Sequence, residues 1–278
     1  MSTILITGAC GAIGRHLRKS LNGVYDRIRY TDVKALDPAR DGEEVIQADL
    51  SDRAAVAALV KGCDTIVHMA ASLGAIRENG KMVGETSWDT ILQNNIIATY
   101  NIFEAAYRAK VKRIVYASSI HAHGMYRKTT AVGDHLPPRP DSRYGLSKAF
   151  GEATGRFFAD KYGMEVVSLR IATYKPEPTL IRDLGTWLSP RDAVRLVRAA
   201  IDTPDVHFDV LYGVSNNRRG LYENPNAKRF GYFPQDDSEV YRDRLLARNL
   251  PEEPILHRTF HAAHLAESEW DGDMSKIT

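Results

Sequence analysis

A tyrosine and a lysine stand four residues apart in a segment with helical spacing of apolar residues. Tyr144 and Lys148 therefore share one face of a predicted helix, Ser142–Tyr162. A nearby ammonium favours the phenolate, so it lowers a tyrosine pKa that starts at about 10 and lets the phenol act as a base. Ser118 and Ser119 end a predicted strand, where a hydroxyl would orient an alcohol being oxidised. These residues predict removal of a proton from an alcohol.

A glycine-rich turn follows the first predicted strand. The segment Thr7–Gly14 reads TGACGAIG and opens the first predicted helix. Without side chains at Gly8 and Gly11, the backbone can turn tightly and approach a pyrophosphate, whose charge a helix N-terminus favours. Glycines at this spacing also occur in ordinary tight turns, but their place between strand and helix predicts a dinucleotide site. Its residues are Gly8, Gly11, Ala12, Ile13 and Gly14.

Two carboxylates follow the next two strands. Asp32 ends the second predicted strand, where it can accept hydrogen bonds from the adenosine ribose and repel a 2′-phosphate. This predicts NAD, although Lys34 nearby leaves NADP open. Asp49 and Leu50 follow the third strand and would hold the adenine; helix capping is the alternative role for Asp49.

The apolar pattern indicates which elements position these side chains. Short runs rich in Ile and Val alternate with helical patterns, which is typical of a Rossmann-type, doubly wound parallel sheet in the α/β class. The predicted strands are Ile4–Thr7, Ile28–Thr31, Glu44–Gln47, Thr65–His68, Arg113–Ala117, Val166–Arg170 and Phe208–Tyr212. The predicted helices are Ile13–Leu21, Arg53–Val60, Trp88–Arg108, Ser142–Tyr162 and Pro190–Ile201.

Three irregular segments follow predicted strands: Ser72–Ser87, Ile120–Asp141 and Thr173–Gly185. Ligands bind at the carboxyl edge of an open α/β sheet, so we expect these segments to build a substrate pocket. We expect residues 1–172 to form the NAD-binding domain with the catalytic residues. Residues 173–278 would add substrate-side loops, the last sheet strand and a small C-terminal lobe.

The glycine turn, the serine pair and the Tyr-x-x-x-Lys motif together resemble the extended short-chain dehydrogenase/reductase family, which includes NAD-dependent epimerases and dehydratases. The resemblance covers most of the chain. It implies that Ser119 positions the hydroxyl, that Tyr144 removes its proton, and that Lys148 tunes Tyr144 and binds the nicotinamide ribose, with hydride passing to NAD. It also implies cofactor contacts from Met69, Ala70, Ala71, Asn95 and Ile171. Packing within its helix is the alternative role for Asn95.

Within that family, the chain is most similar to the uronate dehydrogenases, in local matches such as Pro176–Pro178 and Thr186–Ser189. Those enzymes oxidise the anomeric carbon of a hexuronic acid to a lactone. The resemblance implies that Arg182 holds the sugar carboxylate and that His121 bonds a ring hydroxyl. A guanidinium suits a carboxylate because it donates two parallel hydrogen bonds. The other implied substrate contacts are Ser72, Ser119, Ile120 and Tyr144.

Two departures from the uronate pattern leave other functions open. Ile120 stands where those enzymes usually have Asn, and Leu73–Ser87 is longer and adds Arg77 and Lys81. A sulfonated or phosphorylated glucose is therefore an alternative substrate. A nucleotide-sugar epimerase usually has a larger C-terminal domain than the roughly 65 residues that follow Tyr212. A non-catalytic NAD-binding sensor would have little reason to keep the catalytic residues together.

Charge and composition argue against several other classes. The 37 basic and 35 acidic residues are interspersed, so no basic stripe predicts a nucleic-acid partner. No apolar run approaches the roughly 18 residues of a membrane span, and a strand begins at Thr3, so we expect a cytoplasmic protein with no signal peptide. We expect no metal site, because nothing evident completes one with His257, His261 and His264. The resemblance also implies a homo-oligomer.

Overall fold

The computed structural model of the chain describes residues 2–78, 81–248, 252–261, 264–267 and 270–277. The side chains at 77, 78, 81–83 and 264 lie outside this description. None of the described helices is both long enough and apolar enough to cross a membrane.

Strands and helices alternate along most of the chain. The strands are β1 (Thr3–Thr7), β2 (Arg27–Asp32), β3 (Glu43–Gln47), β4 (Thr65–His68), β5 (Ala75–Glu78), β6 (Lys81–Glu85), β7 (Arg113–Ser119), β8 (Glu165–Ile171), β9 (Thr173–Tyr174), β10 (Trp187–Leu188) and β11 (Phe208–Gly213). The helices are α1 (Ala12–Ser20), α2 (Arg53–Leu59), α3 (Trp88–Ile91), α4 (Ala98–Arg108), α5 (Arg143–Tyr162), α6 (Asp183–Thr186), α7 (Pro190–Asp202), α8 (Arg242–Leu246), α9 (Ile255–Thr259) and α10 (His264–Glu267).

Seven strands form one sheet in the order β11-β8-β7-β4-β1-β2-β3, and every neighbouring pair is parallel. This confirms the predicted Rossmann-type fold. Because all seven strands run the same way, their carboxyl ends meet at one edge of the sheet. That edge is where the glycine turn, the serine pair and the predicted loops lie.

The predicted irregular segment Ser72–Ser87 contains a feature that the pattern did not indicate. β5 and β6 pair as an antiparallel hairpin, with a register shift between Ile76 and Arg77. Two strands this short have no sustained alternation of apolar and polar residues, which is the signal that sequence prediction depends on.

Both faces of the sheet are covered by apolar clusters. On β1, Ile4 and Ile6 belong to one cluster, which includes residues of α1 and α7, whereas Leu5 belongs to the other, which includes residues of α2, α4 and α5. Successive strand residues point to opposite faces, so one apolar run can supply both cores.

A buried polar network anchors the strand ends that carry the predicted catalytic serine. Ser118 donates a hydrogen bond to Glu152 on α5 at 2.5 Å, and Glu152 forms an ion pair with Arg170 on β8. Arg170 also donates to the Gly133 carbonyl and the Tyr212 hydroxyl. Because strand residues alternate, a Ser118 side chain held toward α5 leaves the Ser119 side chain on the opposite face.

Candidate active site

The glycine turn after β1 has no room for a side chain at Gly8 or Gly14. Gly8 has φ +69°, and a Cβ there would lie 2.7 Å from the backbone nitrogen of Ala70. A Cβ at Gly14 would lie 2.2 Å from the Gly8 carbonyl oxygen. The turn is therefore compatible only with glycine at these two positions, and it brings the start of α1 close to β1 and to the segment after β4.

The first turn of α1 is open to an anion. Gly11 is the N-cap residue and offers no side-chain hydrogen bond, and the first turn holds no acidic residue. The first backbone N–H groups of a helix have no partner within it, and the helix dipole favours negative charge at this end. The turn and the first helical residues, Ala12 and Ile13, therefore fit the pyrophosphate of a dinucleotide.

Asp32 lies beside this turn at the end of β2. One carboxylate oxygen accepts a hydrogen bond from the Cys10 backbone nitrogen at 2.9 Å, and the other accepts one from the Lys34 backbone nitrogen at 3.0 Å. The carboxylate thus holds the glycine turn to β2. Its negative charge would repel a 2′-phosphate at this edge and would accept hydrogen bonds from ribose hydroxyls.

A cavity of about 210 Å³ runs along the carboxyl ends of the first four strands. Its lining includes eight of the predicted cofactor residues and the predicted substrate residue Ser72: Gly8, Gly11, Asp32, Asp49, Leu50, Met69, Ala70, Ala71 and Ser72. The capping alternative for Asp49 is wrong, because Asp52 caps α2. Asp49 instead accepts two hydrogen bonds from Ser51.

The predicted catalytic side chains come together at the end of β7. The Ser119 hydroxyl lies 3.3 Å from the His121 backbone nitrogen and 3.5 Å from the Ile171 carbonyl oxygen, and it is close enough to Tyr144 to affect the pKa of that phenol. The Lys148 ammonium donates to the Ala117 carbonyl at 2.8 Å and lies 5.4 Å from the centre of the Tyr144 ring. One strand and one helix thus supply all three groups.

Burial dominates the electrostatics of this pair. It raises the pKa of Tyr144 to about 12, against the opposing effect of the nearby Ser119 hydroxyl. Burial also lowers the pKa of Lys148 to about 7. The expected lowering of the Tyr144 pKa by Lys148 is therefore outweighed in this structure. Near neutral pH it is therefore Lys148, and not Tyr144, that can lose its proton.

Asn95 joins three elements behind the catalytic residues. It lies in a π-helical turn, Leu92–Ile97, between α3 and α4. Its amide oxygen accepts from the Ser72 backbone nitrogen at 2.7 Å, and its amide nitrogen donates to the Ser72 carbonyl and to the Ser147 hydroxyl. These contacts place Asn95 as a brace between the segment after β4 and helix α5.

The two residues after Ser119 have different surroundings. The Ile120 side chain is buried in an apolar cluster with Tyr126, Val132 and Tyr212, so it builds the wall behind the site. This does not match the expected contact of Ile120 with substrate, since its side chain packs into protein. His121 packs edge-to-face on the Tyr144 ring, with ring centres 5.8 Å apart.

Arg182 lies half-buried at the start of α6, beside Lys128 and Tyr222. Burial lowers the pKa of Lys128, Glu253 opposes that shift, and Arg182 adds to it. Burial raises the pKa of Tyr222, and Arg182 opposes that shift. Among the described residues, neither the Arg182 guanidinium nor the Lys128 ammonium has a hydrogen-bond or ion-pair partner, and the buried Tyr222 hydroxyl has none. Donors without a described partner therefore lie in one region of the structure, where they favour an anion.

The C-terminal lobe reaches the catalytic residues. A Cβ at Gly74 would lie 2.8 Å from the Tyr144 Cβ and 3.0 Å from a methyl carbon of Leu265, so both residues pack on Gly74. The Lys128 backbone nitrogen donates to the Thr259 carbonyl at 2.9 Å, which ties the lobe to the segment after β7.

Sequence reasoning did not single out Lys128, Tyr222, Leu265 or Asp141, which bonds His121. None of them belongs to a spaced motif. Their contacts with the site depend on how distant segments meet, and a single sequence carries no signal for that.

The remaining predicted residues lie elsewhere or outside the description. His257 lies near Glu267, and His261 contacts the Thr130 carbonyl. Within the described part of the chain, no three His, Cys, Asp or Glu residues are grouped as a metal site. The side chains of Arg77 and Lys81 lie outside the described residues.

Comparisons with known proteins agree with this geometry. The profile of the NAD dependent epimerase/dehydratase family matches residues 4–174. The chain is 41% identical to a uronate dehydrogenase from Pseudomonas putida, over 89% of each chain. It is similar to a uronate dehydrogenase from Agrobacterium tumefaciens solved with NAD, at 37% identity and TM-score 0.88, covering 96% of this chain and 98% of the other. A glucuronic acid dehydrogenase from Chromohalobacter salexigens matches at 34% identity and TM-score 0.89, covering 99% of each.

Replacing Gly14 by Ala tests the cofactor turn. The added methyl would meet the Gly8 carbonyl, so the turn must open, and we expect the dissociation constant for NAD to rise by about tenfold or more. Isothermal titration calorimetry measures this change. Gly84→Ala is the matched control, because a Cβ at Gly84 meets nothing within 4 Å. Equal NAD affinity in the Gly14→Ala variant and the control would contradict the assignment, provided that thermal melting shows both folded.

Proposed function

Because the chain belongs to the NAD-dependent epimerase/dehydratase family, we propose that it oxidises the anomeric carbon of a hexuronate to a lactone with NAD. The observation that carries this proposal is the position of Arg182, a half-buried cation without a protein partner among the described residues. Its neighbour Tyr222 lies close enough to Asp141 for that carboxylate to raise the Tyr222 pKa. Asp141 is hydrogen-bonded to His121, which packs on the ring of Tyr144. These contacts link Arg182 to the catalytic tyrosine, which supports a substrate with its anionic end at Arg182 and its reacting carbon at Tyr144.

In the proposed reaction, Ser119 and Tyr144 hydrogen-bond the anomeric hydroxyl and Tyr144 takes its proton. Bound NAD supplies the hydride acceptor and a positively charged ring. The C1–H bond breaks, its electron pair leaves with the hydride, and a carbonyl forms at C1. While protonated, Lys148 would favour the phenolate and donate to ribose hydroxyls, and its low pKa would let it release a proton to solvent near neutral pH. The sugar ring oxygen remains bonded to C1, so the product is a lactone.

The anionic end of the substrate would bind Arg182, Lys128 and Tyr222. A carboxylate between them would provide acceptors for three donors that have no described partner in the protein. Charge-assisted hydrogen bonds of this kind are stronger than neutral ones. A larger sulfonate or phosphate could use the same donors, so it is the second candidate class.

We also propose that the cofactor-binding and substrate-binding parts of the chain meet near residue 172. Residues 1–172 would bind NAD and carry Ser119, Tyr144 and Lys148. Residues 173–278 would supply Arg182 and the lobe that packs Leu265 beside Tyr144 on Gly74.

We propose that the protein is a cytoplasmic homodimer. An apolar face of α4 and α5 is exposed, with Tyr107 packed 4.3 Å from Tyr162 between ring centres and Phe157 beside them. A two-fold axis would let this face cover itself on a second copy. Sedimentation equilibrium would show a dimer that Phe157→Glu weakens, and a monomer at all concentrations would contradict it. Cell fractionation tests the compartment.

A substrate panel tests the proposed function. We expect NADH formation with glucuronate or galacturonate, because the chain is similar over most of its length to uronate dehydrogenases. We expect far slower turnover with glucose, which has no anionic group for Arg182, and with glucose 6-phosphate and a sulfonated glucose. Absorbance of NADH measures the rates. Preference for the phosphate or the sulfonate would move the function to the second class, and no turnover with any of the five would overturn the proposal.

Replacing Arg182 by Ala tests the anion contact. A charge-assisted hydrogen bond contributes about 1.5–3 kcal/mol, so we expect kcat/KM for the uronate to fall about 10- to 100-fold, mostly through KM. The residual rate with the corresponding neutral aldose should change little. Arg218→Ala is the control, since Arg218 is exposed and lies near Asp237. Equal losses with the acid and the neutral sugar would remove Arg182 from this role.

Replacing Lys148 by Met tests the part of Lys148 in the proton transfer. In the wild type Lys148 has a pKa of about 7 and can pass a proton to solvent near neutral pH, whereas the variant has only Tyr144, whose pKa is raised to about 12. We therefore expect the rise of kcat with pH to move to more alkaline pH by about one unit or more. Rates measured from pH 6 to 10 show this shift. An unchanged profile with only a lower rate would contradict the pairing.

A further inference from the structure

A buried carboxylate lies directly behind His121. The Asp141 Oδ2 atom is 2.6 Å from the His121 Nδ1 atom, and the Asp141 side chain is fully shielded from solvent. Its Oδ1 atom accepts from the Ser142 hydroxyl at 2.7 Å. Burying a carboxylate is costly unless its lone pairs are satisfied, and here both oxygens have donors.

The backbone around Asp141 is shaped to admit this carboxylate. A Cβ at Gly124 would lie 1.9 Å from Oδ2, and a Cβ at Gly145 would lie 3.0 Å from Oδ1. The Asp141 backbone nitrogen also donates to the His121 carbonyl. The carboxylate and the imidazole are therefore held together by side-chain and backbone contacts from two sides.

We propose that Asp141 is a positioning residue that fixes His121 in the tautomer with a proton on Nδ1, so that Nε2 accepts a hydrogen bond from a hydroxyl of the sugar. A carboxylate accepts hydrogen bonds and cannot donate one, so Nδ1 must carry the proton that joins them. With that proton on Nδ1 and none on the other nitrogen, Nε2 is an acceptor. This inference rests on the proposed function for the identity of the sugar, but the tautomer itself does not depend on it.

Because His121 packs edge-to-face on Tyr144, its tautomer would affect which sugars bind in the site. The His121 ring lies against the ring of the base, so a hydroxyl bound at Nε2 belongs to a ring carbon near the reacting one. A histidine with the opposite tautomer would present an N–H there and would leave that hydroxyl proton without an acceptor. The pair thus selects sugars that carry a hydroxyl donor beside the anomeric carbon.

The tautomer can be read directly by NMR of protein labelled with 15N-histidine. We expect His121, assigned by its loss in His121→Ala, to show a protonated Nδ1 and an unprotonated Nε2 in the wild type. In the Asp141→Asn variant the side-chain amide can either accept from His121 or donate to it. We therefore expect a mixture of the two His121 tautomers or the reversed one, as when an asparagine replaces the aspartate beside the catalytic histidine of serine proteases. Ser142→Ala is the control: it removes the helix cap and one bond to Asp141, and the tautomer should stay.

Kinetics then separate positioning from folding. We expect Asp141→Asn to lower kcat/KM about tenfold or more, and to have almost no further effect in the His121→Ala background, because both variants remove the same contact. Wild-type protein with Nε2 protonated, or losses that multiply in the double variant, would overturn the proposal. The expected tautomer with no turnover of uronates would instead refute the proposed function and leave the role of Asp141 toward His121 intact.

Discussion

The site depends on how closely helix α5 packs against strand β7. A Cβ at Gly151 would lie 2.1 Å from the Tyr116 hydroxyl oxygen, and a Cβ at Gly145 would lie 2.3 Å from the His121 carbonyl oxygen. At this separation the Lys148 ammonium reaches a strand carbonyl at Ala117. A side chain at either glycine would push the helix away and separate Tyr144 from Ser119. The catalytic geometry at the end of β7 therefore depends on two glycines that take no part in the reaction.

Charge pairing distinguishes the structural groups from the functional ones. Arg170 with Glu152 and Arg113 with Glu165 are buried or largely buried ion pairs, and they connect strands and helices. Lys148 donates to a carbonyl and has no described carboxylate partner, and Arg182 has no described partner. Removing a charge from water is costly unless an opposite charge compensates it. The uncompensated cations thus mark where a ribose and a sugar acid would bind.

The sequence predicted the fold well because the signals were local. All seven sheet strands lie within two residues of their predicted ends, and the glycine turn, Asp32 and the Tyr144–Lys148 pair were recognisable from spacing alone. Other features depend on packing between distant segments. The π-helical turn that aims Asn95, and the Asp141 carboxylate behind His121, have no spacing of their own. Asp141 precedes the helix cap Ser142, so in the sequence it looks like an ordinary helix-start residue.

The electrostatic expectation for Tyr144 failed for a physical reason. The four-residue spacing correctly placed an ammonium near the phenol, but sequence says nothing about burial depth. Burial disfavours charge on both groups, so it raises one pKa and lowers the other. Transfer of hydride from C1, with these two groups handling the proton, is the central claim. It is tested most directly with glucuronate deuterated at C1. We predict that mass spectrometry finds the deuterium in the reduced nicotinamide and the sugar as its lactone; deuterium that stays in the sugar, or reaches the solvent, would contradict the account.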